Sequence, residues 1–232
     1  MIKTILWDFD NTLLDFNAAE KAAILSTFEK LKLGECTNQM LKRYDKINRE
    51  YWHKIEENKI DKSAALVKRY EDFFIEYGID PKIAKEFNDI YAVALGDTIE
   101  YIDNSFELVS SLKGKYNQYI VSNGAKNVQT LRMQKSGFDK IVDDCFISDI
   151  IGYEKPSIEF FKFVFDKIKI TDKSEVIIIG DSLTSDIKGG NNAGIKTCWY
   201  NPKKKGIPSG YLVDYNIQNL NDLTIILNNI GR

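Results

Sequence analysis

The run Val176-Ile177-Ile178-Ile179 constrains this chain more than any other stretch. Four consecutive β-branched apolar residues suit an extended pleat and offer water no polar face, so they predict a strand buried on both sides. Gly180 and Asp181 follow at once, and then a helical pattern that stops near Gly194. A fully buried strand feeding a helix belongs in a parallel sheet covered by helices on both faces.

The same alternation recurs elsewhere. Residues 3–7 read as a short buried strand running into Asp8, and 118–121, 145–147 and 196–200 as further strands. Helical spacing covers 105–112, 127–134, the stretch after Pro156, and 220–230. Pro156 suits a first helical turn, because the donor it lacks is one that turn does not use. Strands separated by helices pair in parallel through right-handed crossovers, which gives a doubly wound α/β sheet. Such sheets gather their sites at the carboxyl ends of the strands, near the switch point.

One region breaks the pattern. From Asn17 to Ala94, apolar residues recur at three- and four-residue spacing over 18–33, 39–57, 62–77 and 81–94, with turn signals at Gly34, Asn58, Gly78 and Pro81. This predicts a compact helical insert. The expected organisation is an α/β core over 1–15 and 97–232, with a helical cap domain over 16–96.

Composition narrows the function. A formal net charge of −2 supplies no basic field for nucleic acid or anionic lipid, so a bound anion must be gripped locally. His53 is the only histidine, which excludes His-rich metal sites and tandem imidazole relays. Cys36, Cys145 and Cys198 are widely spaced with no CxxC pair, which predicts no disulfide framework and a reducing cytoplasmic setting. No stretch approaches the roughly 20 apolar residues of a membrane span, and the apolar run before Asp8 is too short for a signal peptide.

Four segments carry polar groups at or just beyond predicted strand ends. In Asp8-Phe9-Asp10-Asn11-Thr12, the two acids lie two apart and can face one cleft. Carboxylates about 4 Å apart repel by roughly 4 kcal/mol at an effective dielectric near 20, so they need a cation, a shared proton or a hydrogen-bond cradle. Ser122-Asn123-Gly124 offers a hydroxyl and exposed backbone N–H groups to a phosphate oxygen. Glu154-Lys155-Pro156 can hold an ammonium near a site as a fixed charge. Gly180-Asp181 with Asp186 makes a hard oxygen site suited to Mg²⁺. Taken singly, each also has a plain explanation as a turn or a surface group. Gly189, Gly190 and Gly194, in or after the next helix, suggest close backbone packing.

The order of the four, DxDxT, Ser, Lys, GDxxxxD, resembles the haloacid dehalogenase superfamily over roughly 1–15 and 97–232, and the helical insert resembles that family's type-1 cap. The resemblance implies a phosphatase in which Asp8 is the nucleophile and forms an aspartyl-phosphate, while Asp10 protonates the leaving oxygen and then helps activate water. It implies that Ser122 and the Asn123 backbone bind the phosphoryl group and that Lys155 neutralises charge on it. Mg²⁺ would be held by Asp8, the Asp10 backbone carbonyl and Asp181, with Asp186 orienting Lys155 or a metal-bound water. Family dehalogenases lack the second acid, because a halide needs no proton; Asp10 therefore favours phosphoryl chemistry.

Within the family, Thr12-Leu-Leu-Asp-Phe16, the 180–186 segment, Asn192-Ala-Gly194 and Thr197-Cys-Trp-Tyr-Asn-Pro202 are similar to the pyrimidine 5′-nucleotidase branch. That implies a small phosphorylated metabolite as substrate, a pyrimidine nucleoside monophosphate with an ordinary or noncanonical base. The rival readings are a sugar-phosphate phosphatase or phosphomutase on the same core, and a non-catalytic phosphate-binding module. Phe16 is a candidate for substrate contact. His53, Tyr51 and Trp52 are expected in a cap helix, Cys145, Cys198, Trp199 and Tyr200 in the core, and Lys203–Lys205 in a solvated loop.

Overall fold

A computed structural model describes residues 1–57 and 59–230; Asn58, one of the expected turn signals, lies outside the described residues. The chain divides into two compact units, Met1–Phe16 with Ile99–Arg232, and Asn17–Thr98.

The first unit is built on six parallel strands: β1 (Thr4–Trp7), β2 (Asn117–Ser122), β3 (Asp144–Ile147), β4 (Val176–Gly180), β5 (Lys196–Tyr200) and β6 (Tyr215–Ile217), in the order β3-β2-β1-β4-β5-β6. The doubly wound sheet is as the sequence predicts. Along β4 the side chains alternate: Val176 and Ile178 pack with Leu6, Phe160, Phe161 and Val164, while Ile177 and Ile179 pack on the opposite face with Trp7, Val109 and Leu223. An unbroken apolar run is needed because neither face meets water. The chain winds outward from β1 in both directions, so the switch point falls beside β1, and the carboxyl ends of β1, β2 and β4 lie next to one another.

The helices, in chain order, are α1 (Phe16–Lys30), α2 (Asn38–Glu56), α3 (Lys62–Glu76), α4 (Ala84–Asp97), α5 (Ser105–Leu112), α6 (Lys126–Ser136), α7 (Ser148–Ile151), α8 (Ile158–Ile168), α9 (Lys188–Ala193) and α10 (Asp222–Ile230). Most fall within a few residues of the sequence expectation. Three features differ. Pro156 does not open a helix: Ser157 is the N-cap, its hydroxyl accepting from the Glu159 N–H, and α8 begins at Ile158 with Pro156 upstream behind a cis peptide bond. The short elements β6 and α7 have no counterpart in the sequence pattern, being too brief to show a period. Between Asp181 and α9, residues Leu183–Ile187 form a wide helical turn rather than the start of a regular helix.

Among its described residues the second unit is all-helical. α2 and α3 start at Thr37 and Asp61, whose side chains accept from the N–H groups of Met40 and Ala64. Its interior is aromatic, with Phe28, Tyr44, Tyr70, Phe73, Phe74, Phe87 and Tyr91 buried, and it also encloses Glu20, Asn48 and Arg69. Tyr51 is buried and Trp52 half-buried, whereas His53 is exposed on α2 beside Glu57. In the first unit Cys198, Trp199 and Tyr200 are buried, Cys145 is half-buried, and Lys203–Lys205 is exposed. Cys36, Cys145 and Cys198 are all free thiols. No helix among the described residues is long and apolar enough to cross a membrane.

Candidate active site

The Asp8 N–H continues the ladder by donating to the Ile179 carbonyl at 2.8 Å, after which the chain doubles back. Leu13 and Leu14 both donate to the Phe9 carbonyl, and Asn11 takes a left-handed φ of 61°, a conformation asparagine adopts more readily than most residues. The fold-back brings the Thr12 hydroxyl to Asp8 Oδ2 at 2.8 Å. Asp8 is buried, and Asp10 is half-buried with its carboxylate held by other groups described below.

Lys155 arrives from the loop after α7 and is 1% exposed. Its ammonium has three donors and three acceptors: Asp8 Oδ1 at 2.8 Å, Asp186 Oδ1 at 2.6 Å and the Val121 carbonyl at 2.8 Å. Asn123 fixes the backbone behind it, its amide donating to the Lys155 carbonyl and accepting from the Lys155 N–H, both at 2.8 Å. What the structure shows of Asn123 is a side-chain role toward the lysine, distinct from the backbone contact to phosphate expected from the sequence. Ser122 is buried at the end of β2, and its Oγ accepts from the Gly124 N–H at 3.0 Å.

Asp186 is fully buried in the wide turn, with Oδ2 accepting from the Ser182 N–H at 3.1 Å. Asp181 is anchored through its backbone: the Trp199 indole donates to its carbonyl at 2.9 Å, because the register sets Trp199 opposite Gly180. Carboxylate oxygens of Asp8, Asp181 and Asp186 all lie within 4.8 Å of one another.

Burial and the nearby Asp186 charge push the Asp8 carboxyl up to about 7, against the opposing pull of the Lys155 ammonium. Burial, with Asp8 and Asp186 beside it, holds Asp181 well above the usual carboxylate range. Burial works against a charged Lys155, but the Asp186 and Asp8 carboxylates outweigh it, and its pKa lies above that of an ordinary lysine. Three carboxylates, two buried and that of Asp181 half-buried, against one ammonium leave surplus negative charge, and hard oxygen donors of this kind fit Mg²⁺.

Two residues of the site were not foreseen. Gln129 and Arg132 lie on α6 and are 1% and 0% exposed. Gln129 Nε2 donates to Asp10 Oδ2 at 2.7 Å and to Ser122 Oγ at 2.6 Å, and the Arg132 guanidinium pairs with Asp10 Oδ1. The one available signal was two long polar residues three apart just after Ser-Asn-Gly, a spacing that reads equally as a solvated helix face. Phe16, half-buried, lies 5.7 Å from the Arg132 guanidinium.

The family model for haloacid dehalogenase-like hydrolases matches residues 5–200. The chain is 37% identical over 226 residues to the HAD-hydrolase YfnB of Bacillus subtilis, covering 97% of this chain and 95% of that one. It superposes on the magnesium-bound crystal structure of YfnB with a TM-score of 0.92 at 36% identity, covering 98% and 99% of the two chains. It is 34% identical over 204 residues to the pyrimidine 5′-nucleotidase PynA of Streptococcus pneumoniae, covering 86% of this chain and 84% of that protein. It is 24% identical over 226 residues to the pyrimidine 5′-nucleotidase YjjG of Escherichia coli, covering 96% of each. With these likenesses running through both units and the four motif segments converging on one rim of the sheet, the chain belongs to the haloacid dehalogenase-like hydrolases.

Proposed function

We propose that this protein is a Mg²⁺-dependent phosphomonoesterase that works through an aspartyl-phosphate on Asp8, with nucleoside monophosphates as its substrates. The observation that carries the reading is the Asp8 carboxylate, fixed by Thr12 on one oxygen and by the buried Lys155 ammonium on the other. An aspartate with both oxygens fixed is oriented for in-line attack, and the ammonium beside it offsets the charge of an approaching phosphate.

In the first half-reaction an Asp8 oxygen bonds to phosphorus as the ester P–O bond breaks, and Asp10 gives its proton to the departing alkoxide. In the second, Asp10 takes a proton from water as that water's oxygen attacks phosphorus, releasing phosphate and restoring Asp8. Lys155 lies beside the nucleophile throughout, and the Ser122 hydroxyl, at the end of the adjacent strand, serves the phosphoryl oxygens. Asp8 and Asp181, with the Asp10 carbonyl, would hold Mg²⁺, and Asp186 holds Lys155. The ion would supply charge neutralisation for the phosphoryl group.

The substrate class rests on the relatives named pyrimidine 5′-nucleotidases and on the 180–202 segment. The test is phosphate release from a panel of pyrimidine and purine monophosphates and hexose phosphates, with Mg²⁺ or with EDTA, by wild type and Asp8→Asn. The expected result is Mg²⁺-dependent release that favours nucleotides and is lost in Asp8→Asn. Equal turnover by the two proteins refutes the nucleophile; preference for hexose phosphates refutes the substrate class.

A further inference from the structure

The carboxylate of Asp10 is not free to rotate. Gln129 and Arg132 are three residues apart on α6 and so share a helix face, which is turned inward. Each holds a different oxygen of Asp10, Gln129 the Oδ2 and Arg132 the Oδ1. The guanidinium is itself confined, lying 5.5 Å from the Phe9 ring and 5.7 Å from the Phe16 ring, and its Nε and Nη2 have no hydrogen-bond partner among the described residues. Asp10 is thus its ionic anchor, and a buried guanidinium separated from its carboxylate is strongly disfavoured. The Gln129 amide also spans from Asp10 to Ser122, tying the acid to the hydroxyl at the phosphoryl position. Gly124 makes room for this bridge: a Cβ there would stand 2.4 Å from Gln129 Nε2.

We infer that Gln129 and Arg132 are positioning residues for the general acid–base, forming a two-pronged dock that sets the distance from Asp10 to the leaving oxygen. The inference rests on the role proposed above for Asp10. A side chain whose task is to deliver a proton contributes only when its oxygen stays within hydrogen-bond reach of the departing atom. Neither Gln129 nor Arg132 needs to touch the substrate. Their contribution is orientation, which is worth most where the leaving group most needs a proton.

That dependence supplies a readout that a purely structural role would not move. kcat/KM is measured for a series of substituted phenyl phosphates of graded leaving-group acidity, with wild type, Asp10→Asn, Gln129→Leu, Arg132→Met and Arg132→Lys. Because kcat/KM reports the first half-reaction, loss of a positioned acid steepens its dependence on leaving-group pKa. The dock predicts that Gln129→Leu and Arg132→Met both steepen the slope in the direction of Asp10→Asn. The poorest leaving group should lose about tenfold more than the best, a fraction of the 10²–10⁴ that general acid catalysis typically supplies. Arg132→Lys keeps the charge without the fork and falls between; with Gln129→Leu it carries the test if Arg132→Met does not fold. An equal loss across the whole series in the Gln129 and Arg132 variants, alongside a steepened slope in Asp10→Asn, overturns the dock. An unchanged slope in Asp10→Asn instead refutes the role given to Asp10 itself.

Discussion

Gly180→Ala tests whether the position of Asp186 controls the lysine of the site. Gly180 ends β4, and its φ lies outside the left-handed region, so alanine introduces no backbone strain and acts through its methyl group alone. An ideal Cβ at this position stands 2.3 Å from both Cγ and Oδ2 of Asp186. Ordinary carbon contacts begin near 3.5 Å, so the carboxyl group must retreat by about 1 Å. Asp186 is fully buried and has little room to give. A retreat of that size takes its 2.6 Å bond to Lys155 beyond hydrogen-bond range.

The stability cost combines overpacking, about 1–3 kcal/mol, with the loss of a charge-assisted hydrogen bond of similar size, partly recovered by relaxation; a net of about 3 kcal/mol is expected. Lys155 keeps its bonds to Asp8 and the Val121 carbonyl but loses the third, so the ammonium is no longer fixed in three directions. A misplacement of about 1 Å in a site of this kind lowers activity by up to about 10²-fold. The assay pairs kcat/KM on a nucleoside monophosphate with urea unfolding, and uses Gly206→Ala as the control, since no atom lies within 4 Å of a Cβ built there. If Gly180→Ala keeps activity within about twofold and stability within about 0.5 kcal/mol of wild type, the packing argument is wrong.

Burial raises the Glu20 carboxyl to about 7, with Arg69 pulling the other way, while Asn48 and Tyr91 donate to its Oε1. Between its ordinary pKa near 4.5 and about 7 the folded state keeps a proton that the unfolded chain has lost, so stability falls as pH rises through that window, by about 3 kcal/mol in all. Glu20→Gln should remove that share of the slope in urea unfolding from about pH 5 to about pH 8; parallel wild-type and variant curves contradict it. Asn123→Ala removes both side-chain bonds to the Lys155 backbone and should lower kcat/KM about tenfold with little change in circular dichroism. Asp181→Asn should raise thermal stability without added metal, by relieving repulsion from Asp8 and Asp186, and should abolish the Mg²⁺-induced rise in Tm expected of wild type.

How much of this was legible in the sequence depends on what kind of constraint each part obeys. Strand β4 was plain because burial on both faces forbids polar residues over its length, and the acids and hydroxyl beyond strand ends stand out against apolar runs. Helices α2 and α3 are plain because a one-sided apolar stripe repeats over many turns. Gln129 and Arg132 are not, because the carboxylate they bond, Asp10, lies more than a hundred residues away in the chain. Trp199 was expected in the core, and it is there, but its hydrogen bond to the Asp181 carbonyl follows from the β4–β5 register, which no local pattern encodes. The start of α8 lies slightly beyond where Pro156 predicts it, because Ser157, a good cap, follows directly on Pro156, and either residue can mark a helix start.

The strand order explains why residues so distant must cooperate. With β1 between β2 and β4, the loops that leave these three strands emerge side by side, and each brings a group the others cannot supply. β1 brings Asp8 and Asp10, β2 brings Ser122 and the Asn123 clamp, and β4 leads to Asp181 and Asp186. Lys155 comes from beyond β3, one strand further out, and its reach to Asp8 depends on that clamp and on the Val121 carbonyl. A cluster with three carboxylates and one ammonium opposes folding on its own account, so the side chains that fix Lys155 hold a charge where solvation would not keep it. Stability and catalysis should therefore respond oppositely to neutralising Asp181 and together to loosening Lys155. A scaffold that merely tolerated these residues would show neither pattern.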